Sequence, residues 1–337
     1  MEPGKEVSPF LIFETINAYQ SSNAFAACLK LDLFSNIKAE GSTADDIASD
    51  CGMSQKGARV LADTMTVHGF LSKEGGTYKL TEVSEKFLTK DSPAYLGGTA
   101  QFLLTPKLTE GFRRIDEAAV KGGTVIDEEG TLGDDDPVWI DFARGMMPMM
   151  MPSAIAIADH LEWERDKPLK VLDIAASHGI FGIMIGQKYP NAQIYGVDWK
   201  NVLPVAEENA AKFGMAERYN KIEGSAFEVD FGQGYDVALL TNFLHHFNAE
   251  TNSRLIKKIG ESLNPDGVII TLEFIPNDDR VSPPGEALFA AVMLATTPEG
   301  DAFTFKELDS MFREAGFENN RQVPLPPTPQ HLVISTR

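Results

Sequence analysis

Residues 171–182 read VLDIAASHGIFG, an apolar run that ends near an acidic residue and passes through small residues into a glycine-bearing helix start. A strand followed by a tight turn and a helix is how a nucleotide-binding turn begins in α/β proteins. Ala175 and Ser177 stand where such turns usually carry glycine. The stretch therefore predicts a strand, turn and helix whose ligand depends on details of the turn.

From about residue 168 onward, short apolar runs alternate with helical stretches. This alternation predicts an α/β fold with a parallel sheet built of βαβ units. Ligands of such sheets bind at the carboxyl ends of the strands. Asp173 near the end of the first strand and Asp198 at the end of the second are therefore both expected at the ligand edge.

The offset of Asp198 suits a carboxylate that binds the two hydroxyls of a ribose. In the turn only Gly179 and Gly182 remain, which is unfavourable for the close backbone approach that a pyrophosphate requires. Asp173 is also better placed beside an ammonium or sulfonium group than beside phosphates. These features favour a cationic nucleoside, although the turn alone could be a close-packed connection between strand and helix.

Composition limits the possible partners. The chain has 337 residues, 43% of them hydrophobic, and a formal net charge of -19, which disfavours nucleic acid and anionic membrane surfaces. Cys28 and Cys51 form no CxxC pair and no zinc-site spacing. The opening stretch lacks a secretory signal pattern, and no apolar run reaches the roughly 18 residues of a membrane span. We expect a cytoplasmic protein without a bound metal.

The N-terminal part carries a winged-helix pattern. Residues 8–35 show helical spacing typical of core or dimer-interface helices, and residues 42–90 contain two helices capped by Ser42 or Thr43 and by Ser54. A hairpin that turns at Gly75 and Gly76 follows. The pattern is typical of DNA-binding domains and of dimerisation modules, and the scarcity of basic residues favours dimerisation. The acidic loop at 122–137 is expected to be exposed.

Several motifs resemble one family in order and spacing. LDIAASHG, GVD, EGSAF, LLTNFLHHF and LNPDGVIITLEFIP resemble the S-adenosylmethionine-dependent O-methyltransferases of the caffeic acid and hydroxyindole (acetylserotonin) type, over essentially the whole chain. The resemblance implies a Rossmann-like class I methyltransferase domain with a mostly parallel seven-stranded sheet, preceded by a mainly α-helical winged-helix dimerisation domain. It implies a winged-helix domain at 1–100, a helical connector that lines the acceptor pocket at 101–160 and a cofactor-binding domain at 161–337, in a homodimer.

The same resemblance implies that S-adenosylmethionine is the cofactor and S-adenosylhomocysteine the product. The residues implied to bind the cofactor are Asp173, Ala175, Ser177, Gly179, Asp198, Trp199, Ser225, Ala226, Phe227 and Thr241. Asp173 and the turn would contact the methionine end, and Asp198 the ribose. Ser225 replaces an acid that in the family accepts a hydrogen bond from the adenine amino group.

His245 matches the catalytic histidine of the family. A phenol with a pKa near 10 is a poor nucleophile at neutral pH, and a neutral imidazole can take its proton as the methyl group moves. A helix-capping or core histidine is the alternative interpretation. His246 replaces the usual aspartate of the motif, and Phe247 the usual tryptophan.

The sequence leaves open which acidic residue orients His245. The plant enzymes supply such acids from positions that match the neighbourhood of Ala290 and Ala302, so that Glu286 or Glu299 would have to substitute. Glu273 matches a family position but could equally be a structural hydrogen-bonding residue.

An apolar acceptor pocket is implied by the segment that precedes the cofactor domain, because flexible thioethers adapt to flat aromatic ligands. The residues predicted to bind the acceptor are Phe142, Met146, Met147, Met150, His246, Phe289 and Met293. The predicted reaction is methylation of a hydroxyl on an aromatic or polyketide-like small molecule. Two alternatives remain: a relative that keeps the cofactor fold but methylates carbon or nitrogen or catalyses non-methylating chemistry, and a ligand-responsive DNA-binding regulator.

Overall fold

The computed structural model describes residues 8–126, 138–326 and 328–337. It falls into two compact units, Met1–Leu104 and Thr105–Arg337. The three-part division of the chain at residues 100 and 160 remains a prediction, and most of the acidic loop at 122–137 lies outside the described residues.

The first unit is mainly helical and carries a small sheet. Its helices are α1 (Phe10–Lys30), α2 (Ala44–Asp50), α3 (Gln55–Val67), α4 (Glu82–Phe87) and α5 (Gly97–Leu103), and its strands are β1 (Ser42–Thr43), β2 (Leu71–Glu74) and β3 (Thr77–Leu80). The strands form an antiparallel sheet in the order β1-β3-β2.

Local sequence signals explain these elements. Thr43 rather than Ser42 caps α2, in a capping box with Asp46, and the Ser54 side chain accepts a hydrogen bond from Gly57 N at the start of α3. Gly75 and Gly76 both have positive φ, as a two-residue hairpin turn requires. The expected order of helix, helix and hairpin is therefore confirmed.

Helix α1 is one continuous helix whose N-terminal half is exposed. Its apolar side chains there lie in solvent in the single chain, among them Phe10, Leu11, Phe13 and Ile16. A stripe of large exposed apolar residues is typical of a surface that a protein partner covers.

The second unit contains the large sheet. Its helices are α6 (Pro106–Arg113), α7 (Ile115–Lys121), α8 (Val138–His160), α9 (Ile180–Lys188), α10 (Leu203–Lys212), α11 (Ala249–Ser262), α12 (Pro284–Thr296) and α13 (Phe305–Glu314). Its strands are β4 (Lys170–Ile174), β5 (Gln193–Asp198), β6 (Tyr219–Glu223), β7 (Tyr235–Thr241), β8 (Leu263–Glu273), β9 (Asn319–Pro324) and β10 (His331–Thr336).

The seven strands are arranged in the order β6-β5-β4-β7-β8-β10-β9. Every pair from β6 to β8 is parallel, and β10 runs antiparallel to both of its neighbours. This confirms the mostly parallel seven-stranded sheet. Because the chain passes from β4 outward through β5 and β6 and then returns to pair β7 with the other side of β4, the carboxyl end of β4 lies at the crevice where such sheets bind ligands.

Buried aliphatic residues explain the central position of β4. Val171, Leu172 and Ile174 are completely buried, as expected for a strand covered by helices on both faces. Among the described residues, no helix combines the length and the apolar character that crossing a membrane would need.

Candidate active site

The turn after β4 keeps a backbone path that glycine usually supplies. Ala175 and Ser177 have φ values of 52° and 51°, in the left-handed region, and Gly179 has 70°. The turn is tied to β5, because Ala176 N donates to Val197 O at 3.0 Å and Ser177 N donates to the Asp198 carboxylate at 2.7 Å. The turn therefore follows a left-handed backbone path although alanine and serine stand at positions that usually carry glycine.

Asp198 lies at the carboxyl end of β5, and each of its carboxylate oxygens accepts a hydrogen bond from a different backbone N–H group. Its Oδ2 accepts from Ser177 N and its Oδ1 from Trp199 N, both at 2.7 Å. Burial raises the pKa of the Asp198 carboxyl to about 6, and the two backbone N–H groups oppose that shift. The carboxylate is thus ionised at neutral pH and keeps lone pairs for a ligand.

Asp173 is completely buried, its Oδ2 accepts from Gly182 N at 3.2 Å in α9, and burial raises the pKa of its carboxyl to about 8. Asp173 thus connects β4 to the first turn of α9. Its Oδ1 has no hydrogen-bond partner among the described residues, and its contact with the methionine end remains a prediction. Gly179 is likewise a packing residue, since a Cβ there would come within 2.9 Å of Ala206 Cβ and 3.0 Å of the Tyr219 hydroxyl.

A cavity of about 230 Å³ opens beside the carboxyl ends of β4, β5 and β7. The predicted cofactor residues in its wall are Ala175, Ser177, Asp198, Trp199, Ser225, Ala226, Phe227 and Thr241. Asp173 and Gly179 are not part of the wall that the described residues form. Residues that follow β4, β5, β6 and β7 therefore lie together in one wall, and their contacts with the cofactor remain a prediction.

The acceptor residues are brought together only in part. Phe142, Met150 and His246 line the cavity. The wall formed by the described residues does not include Met146, Met147, Phe289 or Met293. Met146 and Met293 are buried in packing instead, and Phe289 stacks on Phe274 with ring centroids 4.3 Å apart.

Sequence reasoning did not assign several wall residues to the site. These are Trp139, Phe181, Val197, Val202, Gly224, Asn242, Phe243 and Phe247, whereas Ala176 and His178, also in the wall, belong to the turn that was expected to contact the methionine end. Trp139 stands three positions before Phe142, a spacing that places both on one side of α8 and could have revealed it. Asn242 follows Thr241 directly and has positive φ at the end of β7, which a sequence does not show.

His245 has a carboxylate partner that differs from the expected ones. Its Nδ1 lies 2.5 Å from Glu273 Oε2, and both side chains are buried. The other oxygen of Glu273 accepts from the backbone N–H groups of Phe243 and Leu244 at 3.0 and 2.9 Å. These contacts hold the carboxylate and fix the orientation of the imidazole.

Glu286 and Glu299 do not substitute as partners of His245. Glu286 lies 3.9 Å from His331 Nε2, and Glu299 accepts from the Asn248 amide at 2.6 Å. Glu273 reaches His245 because β8 pairs in parallel with β7, so that the two strands end side by side. The role left open for Glu273 in the sequence is therefore filled by a direct contact with the histidine.

The chemistry of the cavity fits a nucleoside without phosphate groups. Its described wall carries the Asp198 carboxylate but no lysine or arginine, and the hydroxyl of Ser177 is buried there without a hydrogen-bond partner. A pyrophosphate would lack a cationic partner, whereas ribose hydroxyls and a cationic amino acid moiety would find acceptors. Within the described residues, side chains do not cluster in a way that could hold a metal ion. The fold and site define a Rossmann-like protein that binds a nucleoside cofactor.

Comparison with protein families identifies the chain more closely. Residues 132–318 match the model of the O-methyltransferase domain, and residues 13–90 match that of the O-methyltransferase dimerisation domain. The chain belongs to the O-methyltransferase family and carries its dimerisation domain. This membership confirms the predicted class of enzyme, an S-adenosylmethionine-dependent O-methyltransferase.

Individual relatives cover nearly the whole chain. The tetracenomycin polyketide synthesis 8-O-methyl transferase TcmO of Streptomyces glaucescens is 25% identical over 92% of this chain and 91% of its own. The 3-hydroxy-5-methyl-1-naphthoate 3-O-methyltransferase of Streptomyces sahachiroi is 23% identical over 95% and 93%. A crystal structure of a candidate O-methyltransferase from Nostoc punctiforme is 46% identical, with a TM-score of 0.94 over 99% of this chain and 100% of that one.

The left-handed turn gives a first prediction. Ala175→Gly should leave the free energy of unfolding within about 1 kcal/mol of the wild-type value, because relief of backbone strain is offset by greater freedom of the unfolded chain. Ala175→Val should destabilise the protein by about 2 kcal/mol or more and weaken binding of S-adenosylhomocysteine, since a β-branched residue tolerates positive φ poorly. Urea unfolding and calorimetric titration measure both effects.

Ala211→Val, at an exposed helical position, is the control and should cost less than about 1 kcal/mol. An Ala175→Val variant that is as stable as the wild type and binds as tightly would contradict the backbone conformation of the turn.

Proposed function

We propose that this O-methyltransferase acts on a hydroxyl of an aromatic or polyketide-like small molecule, with His245 as the general base. The observation that carries the proposal is the His245–Glu273 pair, which is not part of the described cavity wall but contacts it through His246. The ring centroid of His245 is 4.3 Å from that of His246, which lines this cavity. A carboxylate-oriented imidazole and a nucleoside site are thus neighbours.

The cofactor residues have separate tasks in this proposal. Asp198 accepts hydrogen bonds from the ribose hydroxyls, and the turn from Ala175 to Ser177 lies against the amino acid moiety. Gly224 N donates to Asp198 O at 2.9 Å, which brings the following residues Ser225, Ala226 and Phe227 next to Asp198. These three residues form the part of the wall that faces the adenine of the cofactor in this proposal. When bound, S-adenosylmethionine supplies an electrophilic methyl group on a sulfonium centre.

Glu273 selects the tautomer of His245 in this proposal. The carboxylate accepts the Nδ1–H of the imidazole, so that the lone pair is left on Nε2. Nε2 can then remove the proton of the acceptor hydroxyl as its oxygen attacks the methyl carbon. Because Glu273 acts through the histidine, it is a positioning residue, and the backbone hydrogen bonds from Phe243, Leu244 and His245 keep it in place.

The acceptor side of the wall suits a flat aromatic ring. Trp139 and Phe142 meet edge to face with centroids 5.5 Å apart, and Met150 and Phe243 complete this part of the wall. Such rings and a thioether contact planar ligands without strict directionality. The two named relatives act on a polyketide and on a hydroxynaphthoate, which supports this class of acceptor.

The family match does not favour the alternatives of non-methylating chemistry, methylation of carbon or nitrogen, or DNA-dependent regulation. We further propose that the dimerisation domain forms a homodimer in which the exposed face of α1 is covered. The absence of nucleic-acid and membrane partners, and a cytoplasmic location, remain predictions.

Asp198 provides the test of the cofactor site. The wild type should bind S-adenosylmethionine and S-adenosylhomocysteine with a micromolar Kd, and Asp198→Ala should weaken binding on the order of 100-fold through loss of two charge-assisted hydrogen bonds. Affinity should also fall as the pH drops below about 6, because the carboxyl is then protonated. Isothermal titration calorimetry measures each value.

Asp266→Ala removes an exposed aspartate outside the cavity and should bind like the wild type. If the wild type failed to bind either compound, the proposed function would be refuted.

Glu273 provides the test of the base. In Glu273→Gln the side-chain oxygen can keep the bonds from Phe243 and Leu244, and the amide N–H then faces His245 Nδ1 and leaves the proton on Nε2. We expect kcat to fall by about 10²–10⁴ with unchanged binding of S-adenosylhomocysteine. The remaining rate should rise with pH as the phenol ionises by itself.

The rates are measured by transfer of a radiolabelled methyl group to the best acceptor in a screen of hydroxynaphthoates and hydroxyanthraquinones. Glu299→Gln is the matched control and should keep the wild-type kcat. Equal rates for Glu273→Gln and the wild type would exclude Glu273 as the positioning residue.

A further inference from the structure

The wall segment proposed to face the base of the cofactor uses its polar groups within its own turn. Ser225 Oγ accepts a hydrogen bond from Phe227 N at 3.3 Å, and Ser225 O accepts from both Glu228 N and Val229 N at 3.0 Å. A carbonyl oxygen has two lone pairs, so the Ser225 carbonyl has none left for a ligand. The polar groups of Ser225 therefore stabilise the turn in which this residue stands.

The next carbonyl group of the segment is bound by a lysine. Ala226 O accepts from Lys258 Nζ at 3.0 Å, and the same ammonium group lies 4.4 Å from the ring centroid of Phe231. The only carboxylate that the described cavity wall contains is Asp198, both of whose oxygens accept from backbone N–H groups and which is proposed to bind the ribose. An amino group on the base would therefore meet no charged acceptor in the described part of the wall.

The same part of the wall offers aromatic surface instead. Phe227, Phe243 and Phe247 line the cavity, and the ring centroid of Phe247 lies 4.8 Å from that of Phe227 and 5.1 Å from that of Phe243. Aromatic side chains bind a base by its ring face, which every purine presents whatever its substituents. Phe227 is 37% exposed and Glu228 is exposed as well, so this part of the wall borders solvent.

We propose that the site binds the purine of the cofactor through these aromatic rings and does not select for the amino group at its 6-position. The inference rests on the proposed function. An N–H donor that meets only neutral, already bonded acceptors beside solvent exchanges water for a partner of similar strength and contributes little. The site should therefore also accept cofactor analogues whose purine carries hydrogen or an alkylamino group at this position, and Ser225 is the residue that sets this tolerance.

The test compares three ligands of the wild type by isothermal titration calorimetry. They are S-adenosylhomocysteine, its 6-deamino analogue, in which hydrogen replaces the amino group, and its 6-methylamino analogue. The Kd of each analogue should lie less than about fivefold above that of S-adenosylhomocysteine, a factor that corresponds to one typical neutral hydrogen bond. A loss of about fivefold or more with either analogue would overturn the inference.

Ser225→Asp should create the selectivity that the wild type lacks. One oxygen of the new carboxylate can keep the bond from Phe227 N, and the other can accept from the amino group of the base. This variant should bind S-adenosylhomocysteine at least about tenfold more tightly than the 6-deamino analogue, as a charge-assisted hydrogen bond allows. Ser225→Asn, which has the same shape without the charge, is the matched control and should show no such gain in selectivity.

Two further variants test the neighbouring side chains. Phe227→Ala should weaken the binding of all three ligands by one common factor of at least about fivefold, because stacking on the base is lost. Glu228→Gln removes an exposed carboxylate outside the described cavity wall and should leave the ratios between the ligands unchanged.

A Ser225→Asp protein that binds S-adenosylhomocysteine but does not prefer it to the 6-deamino analogue would overturn the inference, because the amino group would then lie elsewhere. Unchanged binding by Phe227→Ala would contradict the aromatic recognition of the base. Failure of the wild type to bind S-adenosylhomocysteine would instead refute the proposed function, so the two failures are distinguishable.

Discussion

The hydrogen bond from Ser177 N to the Asp198 carboxylate is the contact on which the site depends. At 2.7 Å it joins the end of β5 to a turn in which Ala175 and Ser177 both have positive φ. It also partly compensates the cost of an ionised carboxylate that burial would otherwise neutralise. A glycine-poor turn can therefore retain the shape of a cofactor turn when a neighbouring strand holds its backbone.

A second constraint is the way in which the sheet positions the histidine proposed as the general base. β7 and β8 pair in parallel, and their carboxyl ends bring His245 and Glu273 within 2.5 Å of each other. Backbone N–H groups after β7 hold the second oxygen of Glu273 and so position the carboxylate. The proposed base is thus oriented by the same sheet edge that carries the carboxylate proposed to bind the ribose.

Much of this organisation could be predicted from the sequence, because it depends on local signals. The run VLDIAASHGIFG, the capped helices and the Gly75-Gly76 hairpin all follow from the chemistry of neighbouring residues. The family motifs added the strand ends that meet at the cavity. Contacts between residues that are distant in sequence could not be predicted. Glu273 was recognised as a family position, but its contact with His245 joins the ends of two neighbouring strands.

Side-chain direction was the other limit. Asp173 stands one residue before the end of β4, and the hydrogen bond that its Oδ2 accepts from Gly182 N in α9 could not be predicted from the sequence. The methionines of α8 cover more than half of the helix circumference, so the pattern could not separate Met150, which lines the cavity, from Met146, which packs in the core. The central claim is that the turn and Asp198 hold the cofactor. A crystal structure with S-adenosylhomocysteine tests this most directly: the claim predicts ribose hydroxyls on Asp198 and the amino acid moiety against Ala175 to Ser177, and a ligand bound elsewhere, or a ribose that does not touch Asp198, would contradict it.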